Sequence, residues 1–157
     1  MVDAQSGHEK TLTGLLPALA GANLIYGLGM LESGVTFDYG QLVMDAEIAR
    51  MIKYVVGGIP VRDETLSVDV IAEIGPFKDF LSHEDTYKNM RIQSQARLID
   101  RRVRDDWAAA GGTTLYERAT AEARRILEQH EPDPLPEGAA EEMRAIVEGA
   151  EKELGIR

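Results

Sequence analysis

Apolar residues along most of this chain recur at intervals of three and four, the period of helices with one buried face. Leu12, Leu15, Leu16 and Leu19 follow that spacing and predict a helix over residues 3–20, with Asp3 as N-cap and Gly21 as stop. Pro17 lies inside it and is expected to kink or shorten the last turn. Leu42, Val43, Ile48, Met51, Ile52 and Val55 form the apolar stripe of a second helix over 41–56, ended by Gly57 and Gly58. Asp63 reads as the N-cap of a helix over 64–74, which Gly75-Pro76 closes. Further helices are predicted over 83–92, capped by Ser82, then over 101–109 and 114–129, these two separated by Gly111-Gly112. Pro132-Asp-Pro-Leu-Pro136 reads as a stiff linker, and residues 137–154 as a final acidic helix with Met143, Ile146, Val147 and Leu154 apolar.

Residues 23–28 break this pattern. They form a short apolar-rich run between Gly21 and the pair Gly27 and Gly29, and predict a buried strand. Residues 59–61 read as one brief extended segment, with Pro60 limiting its pairing. A helix, an apolar strand and a glycine-rich loop over 29–40 have the cadence of an α/β unit. Seven helices then stand against one convincing strand. A lone strand needs neighbours, and its unpaired edge invites dimerisation or swapping.

With 157 residues the chain is long enough for one domain with its own core. It has no cysteine, which excludes disulfides, thiolate metal sites and cysteine nucleophiles. Its net charge of −10 argues against nucleic acid, because phosphate binding needs a basic surface. No apolar stretch approaches the roughly 18 residues of a membrane span, and residues 1–10 lack the pattern of a signal peptide. A cytoplasmic location is the expectation.

The common catalytic motifs are absent. Gly27-x-Gly29 lacks the third glycine of a dinucleotide loop, and His8-Glu9 lacks the second histidine of a zinc-protease helix. His8, His83 and His130 are far apart and read as structural or surface residues, so no metal site is expected. Glu84-Asp85 suits the acidic first turn of a helix better than acid/base work. Arg101, Arg102 and Arg104 form either an anion site or a solvated helix start paired with Asp105 and Asp106. The loop after residues 23–28 carries more chemistry. In α/β folds ligands bind at the carboxyl ends of strands. Tyr26 lies near such an end, and Glu32, Phe37 and Tyr39 follow. Aromatic faces with a carboxylate suit a tertiary or quaternary amine, at about 0.5–2 kcal/mol per cation–π contact. The alternative is that Tyr26 packs in a core and the others cap a loop.

An ordered set of segments resembles the trimethylamine methyltransferase family. It comprises Asp3-Ala-Gln-Ser-Gly-His-Glu-Lys10, Leu19-Ala-Gly-Ala-Asn-Leu-Ile-Tyr-Gly27, Leu31-Glu-Ser-Gly34 and Gln41-Leu-Val-Met-Asp45. Gly58-Ile-Pro-Val61, Leu66-Ser-Val-Asp-Val-Ile71, Phe80-Leu-Ser-His83, Asp100-Arg-Arg102 with Trp107, and Glu128-Gln-His-Glu-Pro-Asp-Pro-Leu-Pro136 continue it. The resemblance implies an α/β fold, the C-terminal portion of a (β/α)8 TIM barrel, mostly helical within this segment. Residues 1–131 would belong to the barrel, 132–136 to the linker and 137–157 to the acidic helix. It implies transfer of a methyl group from a methylated amine, trimethylamine or a glycine-betaine-like compound, to a corrinoid (cobalamin) carried by a partner protein. No cofactor would be bound directly. Tyr26, Glu32, Phe37 and Tyr39 are the substrate-side candidates, and no residue is assigned to catalysis. The isolated chain is expected to show no turnover. Departures exist: Tyr26 and Asp85 stand where relatives often carry histidine, and Gly75-Pro-Phe-Lys-Asp79 lacks a further glycine. These leave the amine open. A non-catalytic helical domain that binds a protein partner, as a dimer, is the rival reading.

Overall fold

The computed structural model describes residues 2–93 and 96–156. They form two compact units that divide between residues 126 and 127. Helix α1 (Ala4–Leu19) and helix α2 (Tyr39–Val56) are the long elements that open the first unit. The Asp3 carboxylate caps α1 by accepting the Ser6 N–H at 3.1 Å, and the Ser6 hydroxyl meets the Asp3 N–H in return. Pro17 sits within the last turn and does not end the helix before Leu19.

Between these helices the expected strand over 23–28 is absent. Residues 22–27 have no regular strand or helix, and Leu24 and Tyr26 are 80% and 83% exposed. The physical reason is that a strand needs a hydrogen-bonding partner, and none lies beside this run among the described residues. The segment 59–61 is likewise unpaired. Pairing occurs later, in a small antiparallel hairpin of β1 (Met30–Leu31) and β2 (Thr36–Phe37), with Met30 opposite Phe37 and Leu31 opposite Thr36. The fold is therefore mostly helical with a two-stranded sheet.

Helix α2 begins two residues earlier than its stripe predicts, because Asp38 caps it through the Gln41 N–H at 2.6 Å. The predicted helix over 64–74 is two: α3 (Asp63–Leu66), with Arg62 and not Asp63 at the N-cap, and α4 (Val68–Ile74). Ser67 divides them with φ +50°, and its hydroxyl donates to Asp85 at 3.0 Å. Helix α5 (Glu84–Asn89) is shorter than expected and is capped by the His83 ring, which accepts the Asp85 N–H at 3.1 Å. Helix α6 (Arg104–Ala109) starts three residues late, since Asp100 and Arg102 are engaged with each other before it. Helix α7 (Leu115–Gln129) meets its predicted span within one residue.

α1 crosses α2 closely: a Cβ on Gly14 would stand 2.8 Å from Ile52 Cδ1. α7 crosses the start of α2 at Gly40, where a Cβ would meet Thr120 and Tyr116 at 2.7 and 2.8 Å. Among the described residues the buried apolar side chains are Met44, Ala119 and Ala123, and the buried polar ones are Gln41, Asp45 and Glu47. Gln41 and Asp45 lie four residues apart on one face of α2, and Glu47 lies on another. Large apolar side chains remain exposed across the surface, including Leu24, Val35, Ile59, Phe77 and Leu81.

In the second unit, residues 130–136 have no helix or strand, and α8 (Ala139–Glu153) follows. Its apolar positions Met143, Ile146 and Val147 are all exposed, as is Leu154 at its C-cap. No described helix is long and apolar enough to cross a membrane.

Candidate functional site

A cavity of about 800 Å³ lies between α1, α2 and the segment 25–34. α1 contributes Glu9, Lys10 and Thr13, and α2 contributes Asp45, Ile48 and Ile52. Lys10, Thr13 and Gly14 fall three and four residues apart and so share one helix face. Asp45, Ile48, Ala49 and Ile52 do the same on α2. The connecting segment supplies Tyr26, Met30 and Glu32.

The segment is held by a compact polar clamp. Lys10 Nζ donates to Asp45 Oδ2 at 2.8 Å and to the Gly27 carbonyl at 3.0 Å. The Gly29 N–H donates to the same Asp45 oxygen at 2.8 Å, and Gln41 Nε2 to the other at 2.6 Å. Gly27 and Gly29 have φ of +99° and +78°, which only glycine adopts without penalty. A Cβ on Gly29 would also stand 2.8 Å from the Phe37 ring.

Beyond Leu31 the hairpin turn is strained. Glu32 and Ser33 hold φ of +52° and +55°, a left-handed conformation uncommon outside glycine. The Glu32 carboxylate accepts the Thr36 hydroxyl at 2.9 Å, which orients it. Non-glycine residues in such conformations persist where surrounding contacts enforce them, and they concentrate at functional sites.

The four predicted site residues separate into two pairs. Tyr26 and Glu32 line the cavity. Phe37 and Tyr39 do not: their rings pack edge to face, with centroids 5.5 Å apart, and Phe37 covers Gly29 from the hairpin side. Sequence reasoning missed Lys10, Asp45 and Gln41. The signal was a charged residue within the apolar stripe of α2, since Asp45 falls three residues from both Leu42 and Ile48. Among the described residues no group of three or more histidine, aspartate or glutamate side chains is arranged to hold a metal ion.

A second buried carboxylate, Glu47, lies on α2 and joins the segment before α6. It accepts the backbone N–H groups of Arg97 and Leu98 and the Arg50 guanidinium. Burial alone would raise its pKa, but the Arg50 guanidinium and the two N–H groups outweigh it and hold it below the usual range. Nearby, the Asp38 carboxylate accepts the Tyr116 hydroxyl at 2.8 Å and pushes that phenol's pKa up.

Residues 1–155 match the sequence profile of the family described as trimethylamine methyltransferase (MTTB). The chain is 58% identical over 154 residues to a trimethylamine methyltransferase MttB of Desulfitobacterium hafniense, covering 98% of this chain and 31% of that protein. It is 46% identical over 150 residues to MttB2 of Methanosarcina mazei, covering 96% of this chain and 30% of the relative. A glycine betaine methyltransferase of Desulfitobacterium hafniense is 31% identical over 156 residues, 98% of this chain and 32% of that protein. The chain thus spans about 30% of the length of the curated relatives it matches, and over that span it belongs to the trimethylamine methyltransferase family.

Proposed function

We propose that this chain is the C-terminal part of an amine methyltransferase, and that its cavity forms one wall of the site for a methylated ammonium group. The observation that carries this reading is that Tyr26 and Glu32 both line one cavity. An aromatic face and a carboxylate together favour a cation that cannot donate many hydrogen bonds. Family membership supports the reaction class, and the relatives named for trimethylamine and for glycine betaine support the substrate class.

In this reading the methyl acceptor is a corrinoid on a separate small protein. No histidine lines the cavity, so its residues do not fit the nitrogen ligand of a cobalt ion, and this chain is given no part in holding that group. Its residues bind the ammonium, orient one methyl outward and exclude water. Phe37 and Tyr39 act behind the rim: Phe37 backs Gly29, and Tyr39 steadies Phe37.

The same reading makes this segment part of a (β/α)8 barrel whose other strands lie in the rest of the family polypeptide. Exposed Leu24, Val35 and Ile59 support it, since so many large apolar side chains left in water are expected to be covered in a complete domain. The test is titration of the chain with tetramethylammonium chloride, followed by NMR. Saturable shifts at Tyr26 and Glu32 that disappear in Tyr26→Ala and weaken in Glu32→Gln are expected. Shifts unaffected by both substitutions would overturn the site.

The exposed apolar surface also favours a second reading, a helical interaction domain that pairs with another copy. Sedimentation equilibrium separates the two. A stable dimer without amine binding supports the second.

A further inference from the structure

Lys10 and Asp45 face each other across the cavity floor, and neither has been given a role in binding. Asp45 is 5% exposed and Lys10 is 23% exposed. Between them they hold both ends of one turn: Lys10 donates to the Gly27 carbonyl, and Asp45 accepts the Gly29 N–H. The Met30 N–H closes the same turn on Gly27 at 3.1 Å. Tyr26 immediately precedes this turn, and Met30 follows it on the way to Glu32. All three line the cavity.

Charge separates this pair from the others on the wall. Lys10 and Asp45 cancel each other at 2.8 Å. Glu9 and Glu32 also line the cavity, and neither forms an ion pair among the described residues. The pair therefore adds structure without adding net charge, and the negative potential that would attract a cation is left to the glutamates. A bare lysine here would repel an ammonium ligand, and a bare buried aspartate would lack the partner that offsets its desolvation.

We propose that Lys10 and Asp45 are a positioning pair that locks the Gly27–Gly29 turn and thereby sets where Tyr26 and Glu32 stand for an ammonium ligand. The pair touches the turn, and the turn carries the binding groups. This rests on the amine-binding reading above.

Charge and position make opposite demands on Lys10→Met. On charge alone the substitution removes a cation from the wall and frees Asp45, so tetramethylammonium should bind more tightly. A positioning role requires weaker binding. We expect Kd for tetramethylammonium to rise at least fivefold in Lys10→Met and to return to within about threefold of the parent in Lys10→Arg, which restores the donor and the charge. Amide hydrogen exchange in the same samples supplies a readout that needs no ligand. Gly29 should exchange at least tenfold faster in Lys10→Met, with Ile48 on α2 unchanged. Lys10→Gln, which is uncharged and one bond too short to keep the Gly27 hydrogen bond, serves in its place if Lys10→Met does not fold, with the same weaker binding and faster Gly29 exchange expected. Tighter or unchanged binding in the folded variant overturns the proposal, as does unchanged Gly29 exchange. If the parent chain binds no tetramethylammonium, the amine reading fails by itself, and Gly29 exchange still decides whether the pair holds the turn.

Discussion

The Glu47 carboxylate accepts the backbone N–H of Leu98 at 2.9 Å, joining α2 to a segment 51 residues further along the chain. Side-chain carboxylates that hold backbone donors in this way act as internal caps, and their removal strands the donors. Glu47→Ala leaves the N–H groups of Arg97 and Leu98 without their acceptor, and we expect a loss of about 2–3 kcal/mol. Glu47→Gln keeps the shape but turns an N–H₂ toward other donors, so it should recover only part of that loss. Urea unfolding of the two variants measures both. Equal stability of parent and Glu47→Ala would falsify the staple.

Asp100 supplies a pH dependence with a definite sign. The Arg102 side chain and backbone N–H hold its carboxyl at about 2, below the ordinary 3.8. A depressed carboxylate contributes stability above its unfolded pKa and loses it as pH falls through the folded value. The contribution is therefore present above about pH 4 and lost between about pH 4 and pH 2. Asp100→Asn should flatten that limb of the stability curve while leaving its shape above pH 5 alone. Thermal melts at half-unit pH steps give the comparison.

Gly40 marks a close approach of α7 to α2. A methyl group there meets Thr120 Oγ1, the Tyr116 ring and Asp38 Oδ1, and the hydroxyl of that ring is already held by Asp38. We expect Gly40→Ala to destabilise by about 1–3 kcal/mol, the usual cost of overpacking, despite alanine's better helix propensity. A calorimetric melting point at or above that of the parent contradicts the packing described.

Ser33 predicts a gain. Its φ of +55° suits glycine, and among the described residues its side chain makes no hydrogen bond. Ser33→Gly should therefore stabilise by about 1 kcal/mol, since the left-handed conformation costs a Cβ roughly 1–2 kcal/mol. Guanidinium unfolding reads this directly, and a lower midpoint would mean that Ser33 supports the hairpin by another route.

The long helices were legible because their apolar spacing is redundant. Leu12, Leu15, Leu16 and Leu19 announce α1 even with Pro17 among them, and Asp3 fixes its start. Residues 23–28 misled because a short apolar run carries no period of its own. Whether it pairs depends on neighbours that periodicity cannot supply. The division at Ser67 was hidden for a related reason, since a left-handed serine leaves no mark in an apolar pattern. Of the four residues proposed from the sequence, Tyr26 and Glu32 reach the cavity lining. The clamp of Lys10, Gln41 and Asp45 was not legible, because a search for apolar stripes passes over Gln41 and Asp45, where α2 buries polar groups.

Every residue that lines the cavity falls between Ser6 and Ile52. Such a site has low contact order: its walls close only short loops, which cost little chain entropy and form quickly. The clamp at Gly29 is therefore expected to assemble during refolding ahead of the long-range staple at Leu98. Pulse-labelled hydrogen exchange would show that order as early protection at one amide and late protection at the other.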